Sequence, residues 1–230
     1  MAFVIGSNGF IGSHMLGIED PGLIFMAGIS DTACEDDKAL AQANVRGPLQ
    51  WATDAAAQGL PFIFPSSASV YGNQSGPLNR YAISKACLDV HMSTRPGRWY
   101  GLRFFNVYGP GEDHKGKQAS IVSRLASGTL SEVFEPDTAR DFVHVSDCVK
   151  VARWMLQAAP PSGIYDVGTG ASRSIREVIG LAGATVNFVD MPEHLKGKYQ
   201  FNTRADLTKL RAAGYVEPFL SLEEGMKLYG

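Results

Sequence analysis

"FVIGSNGFIGSHMLGIEDPGLIFMAG", residues 3–28, is the stretch whose reading decides the fold. A short apolar run enters a glycine-rich turn, Gly6-Ser7-Asn8-Gly9-Phe10-Ile11-Gly12, and leaves it in a helical stretch. In a strand, turn and helix of this kind the first glycine permits the tight turn. The second lets a dinucleotide pyrophosphate approach the backbone, and the third lets the helix pack on the strand. Only ten residues then separate Gly12 from the next apolar run at Leu23. The acid that grips an adenosine ribose is expected about 20 residues past the turn, at the end of the second strand. Asp31 stands near that distance if "LIFMA" is the second strand. If "LIFMA" is instead the fourth, two strands, their helices and the ribose acid are absent.

The following residues favour the second option. Residues 36 to 65 run through one long helical stretch directly into "FIFPSSASVYG", as a fourth-to-fifth strand step would. The first strand would then lie at the sheet edge, where an unpaired backbone invites another chain. An oligomer contact or a covering loop over Phe3 to Ile5 is therefore expected.

Outward from this stretch, short β-rich runs alternate with helical ones: "AFVI", "FIGSHML", "LIFMA", 36–58, "FIF", 81–94 and "YGLRFF". That alternation argues for an α/β fold with a parallel sheet, whose doubly buried strands read as continuous apolar runs. After Phe105, "NVYGPGEDHKGKQ" reads as a long loop. Beyond it, mixed helix and strand segments suggest a small lobe interleaved with the sheet. The expected division is 1–110 for a shortened cofactor-binding part and 111–230 for mainly a substrate lobe.

With 230 residues, 45% hydrophobic, the chain is long enough to bury a substantial core. Its net charge of −2 argues against nucleic-acid or anionic-membrane partners, so any anion site must be local. Cys34, Cys87 and Cys148 have no metal-like spacing and cannot all pair, which reads as a reducing, cytoplasmic setting with no metal site. No stretch reaches the roughly 18 apolar residues of a membrane span.

"RYAISK" places Tyr81 and Lys85 four residues apart, hence on one helix face. Just upstream, "FPSSASVYG" ends a core strand in hydroxyls. A free phenol titrates near 10, so a Tyr81 base near pH 7 requires a pKa lowered by about 3 units. The Lys85 ammonium and a cationic nicotinamide would favour the phenolate, and Ser67 would orient a substrate oxygen. Alternatively, Ser66, Ser67 and Ser69 cap a turn.

"VIGSNGFIGS", "PSSASVYG" and "YAISK" together resemble the extended short-chain dehydrogenase/reductase superfamily. "LRFFNVYGPGEDHKGKQAS", "FEPDTARDFVHVSD", "YDVGTG" and "PEHLKGKYQFNTRADLTKLRAAGY" resemble, within it, the ADP-glycero-manno-heptose 6-epimerase family. The similarity runs from Leu23 onward. It implies a truncated Rossmann-like, doubly wound parallel sheet with a small C-terminal substrate-binding lobe, and NAD or NADP as cofactor. The implied reaction oxidises a nucleotide-diphosphate sugar at one carbon and reduces it again on the other face.

By the same resemblance Tyr81 and Lys115 are the two acid/base groups, with Ser67 and Lys85 beside them. Gly6, Gly9, Phe10, Ile11, Gly12, Ala27, Gly28, Ile29, Asn44, Lys85 and Val107 fall on cofactor positions. Ser67, Asn106, Lys117, Arg124, Phe134, Glu135, Arg140 and Tyr199 fall on substrate positions. Without the resemblance, Lys115 reads as a solvated loop residue and Arg140 as the partner of Asp141 or another acid. Three readings remain open: a compact epimerase, another nucleotide-sugar enzyme such as a 4-epimerase, and a catalytically silent binding subunit. A dehydratase fits less well, because "SSASVYG" lacks an acidic pair beside its hydroxyls.

Overall fold

In the computed structural model, which describes residues 1–229, β1 (Phe3–Ile5) runs into the glycine turn and a five-residue helix, α1 (Phe10–His14). The chain returns as β2 (Leu23–Phe25), parallel to β1. A tight turn is possible because Gly6 takes φ +84°, and Gly12 then sits directly against its carbonyl. The helical stretch expected over 36–58 is broken into α2 (Asp37–Ala41), a π-helical turn (Gln42–Arg46) and α3 (Gly47–Ala57). It leads to β3 (Phe62–Ser67), α4 (Arg80–Ser93) and β4 (Trp99–Phe104). The Asp36 and Asn79 side chains cap α2 and α4 by accepting from backbone amides of the first turn.

The second half begins with β5 (Asn106–Tyr108), a 3-10 segment (Asp113–Gln118) and α5 (Ile121–Ala126). Next come β6 (Glu132–Glu135), β7 (Ala139–His144), α6 (Val145–Ala158) and β8 (Gly163–Val167). β9 (Ser172–Ser174), α7 (Ile175–Leu181), β10 (Asn187–Asp190), α8 (Glu193–Lys196), α9 (Thr208–Ala212) and α10 (Leu222–Met226) complete it. Gly230, the last residue of the expected lobe, lies outside the described residues.

The main sheet has the order β1-β2-β3-β4-β8, all parallel. β8 comes from the second half, so the two halves interleave. Two small sheets, β5-β7-β9 and β10-β6, shape the lobe around its own apolar core of Val122, Leu130, Phe142, Ile175 and Val178.

Alternation along the strands builds two cores. Leu23, Phe25, Phe62 and Phe64 meet α3 and α4 through Ala52, Ala55, Leu88 and Met92. Ile24, Ile63, Tyr100 and Leu102 face the other way, against Met15, Ile18 and the α6 residues Cys148, Val151 and Met155. β2 and the apolar start of β3 are thus buried on both sides, which is why they read as unbroken apolar runs.

This arrangement fixes the relative hand of the crossovers. The steps β1 to β2, β2 to β3 and β3 to β4 all go the same way across the sheet. α3 and α4 cover one face, whereas α1 and the turn after it lie on the other, beside α6. The β1–α1–β2 crossover therefore has the opposite hand to the two that follow. Since parallel crossovers are right-handed in about 98% of cases, the short first one is the left-handed exception. It is what remains when β2 neighbours β1 on the side where the fourth strand of a full doubly wound sheet would lie.

The glycine turn yields a stability prediction. A Cβ on Gly12 would stand 2.0 Å from the Gly6 carbonyl oxygen, whereas one on Gly180 in α7 would meet nothing within 4 Å. Gly12→Ala is expected to lose about 1–3 kcal/mol in urea unfolding, and Gly180→Ala to gain about 0.5–1 kcal/mol from helix propensity and reduced unfolded-state entropy.

Candidate active site

The site forms at the C-terminal ends of β2, β3 and β4, where open parallel sheets generally receive ligands. β3 ends in Pro65, Ser66 and Ser67, whose side chains alternate. Ser66 Oγ turns to the buried Asp89 at 2.9 Å, while Ser67 lines the cleft. Ser67 also caps the following turn: its Oγ accepts from the Ser69 amide at 3.2 Å and the Ser69 hydroxyl at 2.9 Å. Both of these bonds use its lone pairs, so its own proton remains available toward the cleft.

Tyr81 and Lys85 follow one turn apart on α4, both buried at 8% and 5% exposure. Lys85 Nζ donates to the Pro65 carbonyl at 3.0 Å and lies 5.7 Å from the Tyr81 ring centre. Burial pulls the Lys85 pKa down to about 8, with the Asp89 charge opposing the shift. The phenol of Tyr81 differs from the sequence expectation: burial raises its pKa, and the facing Ser67 hydroxyl only partly offsets that. In the absence of a further cation the phenol is held in its protonated form.

Asp89 was not singled out from the sequence, although 81, 85 and 89 share one helical face. Its Oδ2 accepts from Ser66 and, at 2.7 Å, from Arg103 Nη2. Arg103 also donates to the Tyr71 hydroxyl at 2.6 Å, which donates in turn to Asp166 at 2.7 Å.

The lobe supplies the other wall. Lys115 is half-buried on the 3-10 segment, with Nζ 3.3 Å from Glu112 Oε2 and 5.3 Å from the Phe10 ring centre. Glu112, also not singled out, is fully buried and accepts from the Ser120 hydroxyl at 2.7 Å and the Ser120 amide at 2.9 Å. An acid three residues before a lysine in a glycine-bounded loop was the available signal. His114 is exposed.

One cleft of about 530 Å³ brings together Ser67, Tyr81, Lys85 and Lys115 with Asn106 and Tyr199. Of the expected cofactor positions, Phe10, Ile11, Ala27, Gly28, Ile29 and Val107 line it. A connected recess of about 270 Å³ shares Ser67, Asn106 and Tyr199 and adds Arg140. Arg140 does not pair with Asp141, whose oxygens accept from Thr169, Gly170 and Ala205. Its guanidinium instead donates to the Ala139 carbonyl at 2.9 Å and to the Gln200 carbonyl, and lies over the Tyr199 ring at 5.2 Å. Burial lowers its pKa, and no acid among the described residues pairs with it.

Several expected positions lie away from the cleft walls. Asn44 stands behind them: its Oδ1 accepts from the Ile29 amide at 2.9 Å, and its Nδ2 donates to the Ile29 carbonyl and Ser84 Oγ, each at 3.0 Å. It holds the 28–29 loop, and a Cβ on Gly28 would strike its Oδ1 at 2.6 Å. Lys117 is exposed, and Arg124 sits on α5. Glu135 is paired with Arg176, while Phe134 packs edge-on against Tyr199 at 6.2 Å.

The turn itself fits a pyridine dinucleotide at one end. Gly9 precedes α1 without a side-chain cap, and a Cβ there would meet only the Gly6 carbonyl, at 3.3 Å. The nicotinamide end has apolar walls and the Tyr81–Lys85 pair. The adenosine end is different, since β1 is the outermost strand and the Asp31 carboxylate accepts from the Ala33 amide at 2.9 Å.

A short, Rossmann-like parallel sheet with a buried Tyr-x-x-x-Lys pair at its C-terminal edge defines a short-chain dehydrogenase/reductase type of protein. Residues 19–168 match the family described as the NAD dependent epimerase/dehydratase family, and the chain belongs to it. An ADP-L-glycero-D-manno-heptose-6-epimerase of Alkalilimnicola ehrlichii is 39% identical over 214 residues, covering 80% of this chain and 66% of the relative. One from Brachyspira hyodysenteriae is 38% identical over 193 residues, covering 72% and 61%. The chain thus spans less than two thirds of these relatives' length. The crystal structure of Helicobacter pylori ADP-L-glycero-D-manno-heptose-6-epimerase shares the fold, with a TM-score of 0.83, 24% identity and coverage of 99% of this chain and 94% of that one.

Lys85 sets a pH prediction. Its folded pKa of about 8 lies below the unfolded lysine value, so between the two the unfolded chain binds more protons. The cost of the buried ammonium is therefore present below about pH 8 and is relieved as pH rises toward the unfolded value. In urea unfolding, wild type minus Lys85→Met is expected to become more favourable by roughly 1–3 kcal/mol between pH 7 and 10.

Proposed function

We propose that the protein is an NAD(P)-dependent nucleotide-sugar epimerase most like ADP-glycero-manno-heptose 6-epimerase. The observation carrying this reading is the meeting of Ser67, Tyr81, Lys85 and Lys115 in one cleft, beside an arginine with no acid partner among the described residues. The names of the two curated relatives point the same way. When bound, the nicotinamide supplies a hydride acceptor and donor for one sugar carbon.

The chain's own residues carry the protons. Tyr81 takes the proton of the sugar hydroxyl as that carbon is oxidised, helped by the buried Lys85 charge, which favours the phenolate. Ser67, whose proton is free, holds the same oxygen. Lys115 serves the carbonyl once it has turned over, and Glu112 keeps its ammonium within the cleft. Arg140 receives the diphosphate, since a guanidinium binds such oxygens through paired hydrogen bonds. The 4-epimerase alternative uses the same groups on a different sugar carbon.

Phe3 is 60% exposed on the edge strand, and residues 1–13 carry no charged side chain that would discourage pairing. On this reading a second copy covers β1. Analytical ultracentrifugation should show a dimer that Phe3→Lys disperses, and a wild-type monomer at all concentrations would refute the pairing. The cytoplasm is the proposed compartment, consistent with three unpaired cysteines.

Product analysis on ADP-heptose against UDP-hexoses separates the two epimerase readings. Tyr81→Phe and Lys115→Met should each reduce turnover by about 10²–10⁴-fold, with unchanged circular dichroism. Full turnover in either variant would remove the assigned role.

A further inference from the structure

We propose that this chain recognises its nicotinamide cofactor through the mononucleotide half alone, and so discriminates little among NAD, NADP and free nicotinamide mononucleotide. This rests on the epimerase reading and concerns how the same cleft holds its cofactor.

The cleft walls end at the glycine turn. Phe10 and Ile11 on α1, and Ala27 to Ile29 after β2, bound the nicotinamide side, and Asn44 fixes the second of these segments. In a doubly wound sheet the adenosine lies over the strand beyond the first, whose terminal acid holds the ribose 2′-hydroxyl, or whose nearby arginine accommodates a 2′-phosphate. Here the only sheet neighbour of β1 among the described residues is β2, on the nicotinamide side. The far side of β1 presents the exposed Phe3 and no charged residue over positions 1–13.

The acid at the expected sequence distance is misplaced for the task. Asp31 follows β2, on the opposite side of β1 from an adenosine site, and its carboxylate turns back to the Ala33 amide at 2.9 Å. Among the described residues of this chain, neither the 2′-hydroxyl of NAD nor the 2′-phosphate of NADP then meets a group that distinguishes them, and a second copy paired along β1 would bring the same stretch, without charged side chains, to that side. The adenosine adds little recognition beyond the phosphate turn.

Reduced nicotinamide fluorescence allows NADH, NADPH and reduced nicotinamide mononucleotide to be titrated into the full chain under identical conditions. The three dissociation constants are expected within about tenfold of one another. In saturation-transfer NMR with NAD, nicotinamide protons should respond and adenine protons should not, and Asp31→Ala should leave the NADH to NADPH ratio unchanged. A wider spread, a strong adenine response or an altered ratio in Asp31→Ala would overturn the inference while leaving the epimerase reading intact. Failure of all three to bind would overturn both.

Discussion

A cation taken out of water must be compensated by fixed partners, and Lys85 is the buried cation around which this structure is organised. Its ammonium meets the Pro65 carbonyl at the end of β3, and Asp89 one helical turn on supplies the opposing charge. Asp89 is itself held by Ser66 and Arg103, and Arg103 reaches Tyr71. Tyr71, pushed up to about 12 by burial and by Asp166, remains a donor to that carboxylate. The other oxygen of Asp166 accepts from the Asp206 amide at 3.1 Å. One chain of charges therefore ties β3, α4, β4, β8 and the segment after 203 together at the end of the sheet where the cleft opens. Removing a single member leaves another buried charge without its partner, so the local geometry of Tyr81 depends on residues that do not touch it.

The second organising constraint is topological. Keeping α1 on the α6 face while β2 lies on the opposite side from an ordinary second strand forces the uncommon hand of the first crossover. Packing makes this tolerable: Met15 and Ile18, just beyond α1, are fully buried against α6 and the sheet. The left-handed turn is thus anchored by apolar burial rather than by helix length, since α1 has only five residues. The cost appears at the outer edge, where β1 has no strand beyond it among the described residues and the exposed Phe3 lies 6.1 Å from Trp51 between ring centres. The matched family region begins at residue 19, after the glycine turn.

Much of this was legible in the residues. Doubly buried strands announced themselves as apolar runs at 23–25 and 62–64, and the four-residue spacing of Tyr81 and Lys85 placed both on the inner face of α4. The edge position of β1 followed from reading residues 36–65 as the step from a fourth strand to a fifth. Less visible were interactions joining distant segments. Nothing local to Asn44 reveals that its amide bonds Ile29 and Ser84. Glu112 and Asp89 were ordinary acids until burial made them necessary partners. Charge spacing suggested a lowered Tyr81 pKa, but it carries no information about desolvation, and desolvation dominates.

Of the three cations lining the lobe side of the cleft and its recess, Lys198 pairs with the exposed Glu35, and Lys115 and Arg140 are not equivalent to one another. Lys115 already has a buried carboxylate at 3.3 Å, so its charge is largely answered within the protein. Arg140 has two carbonyls and an aromatic face but no acid among the described residues, and burial disfavours its charge. An incoming diphosphate would relieve that imbalance at Arg140, whereas at Lys115 it would compete with Glu112. Anion binding therefore belongs to Arg140 on this reading, and proton transfer to Lys115, whose lysine can lose a proton where a guanidinium cannot. The net charge of −2 poses no obstacle, because the recess that holds Arg140 supplies its positive charge locally.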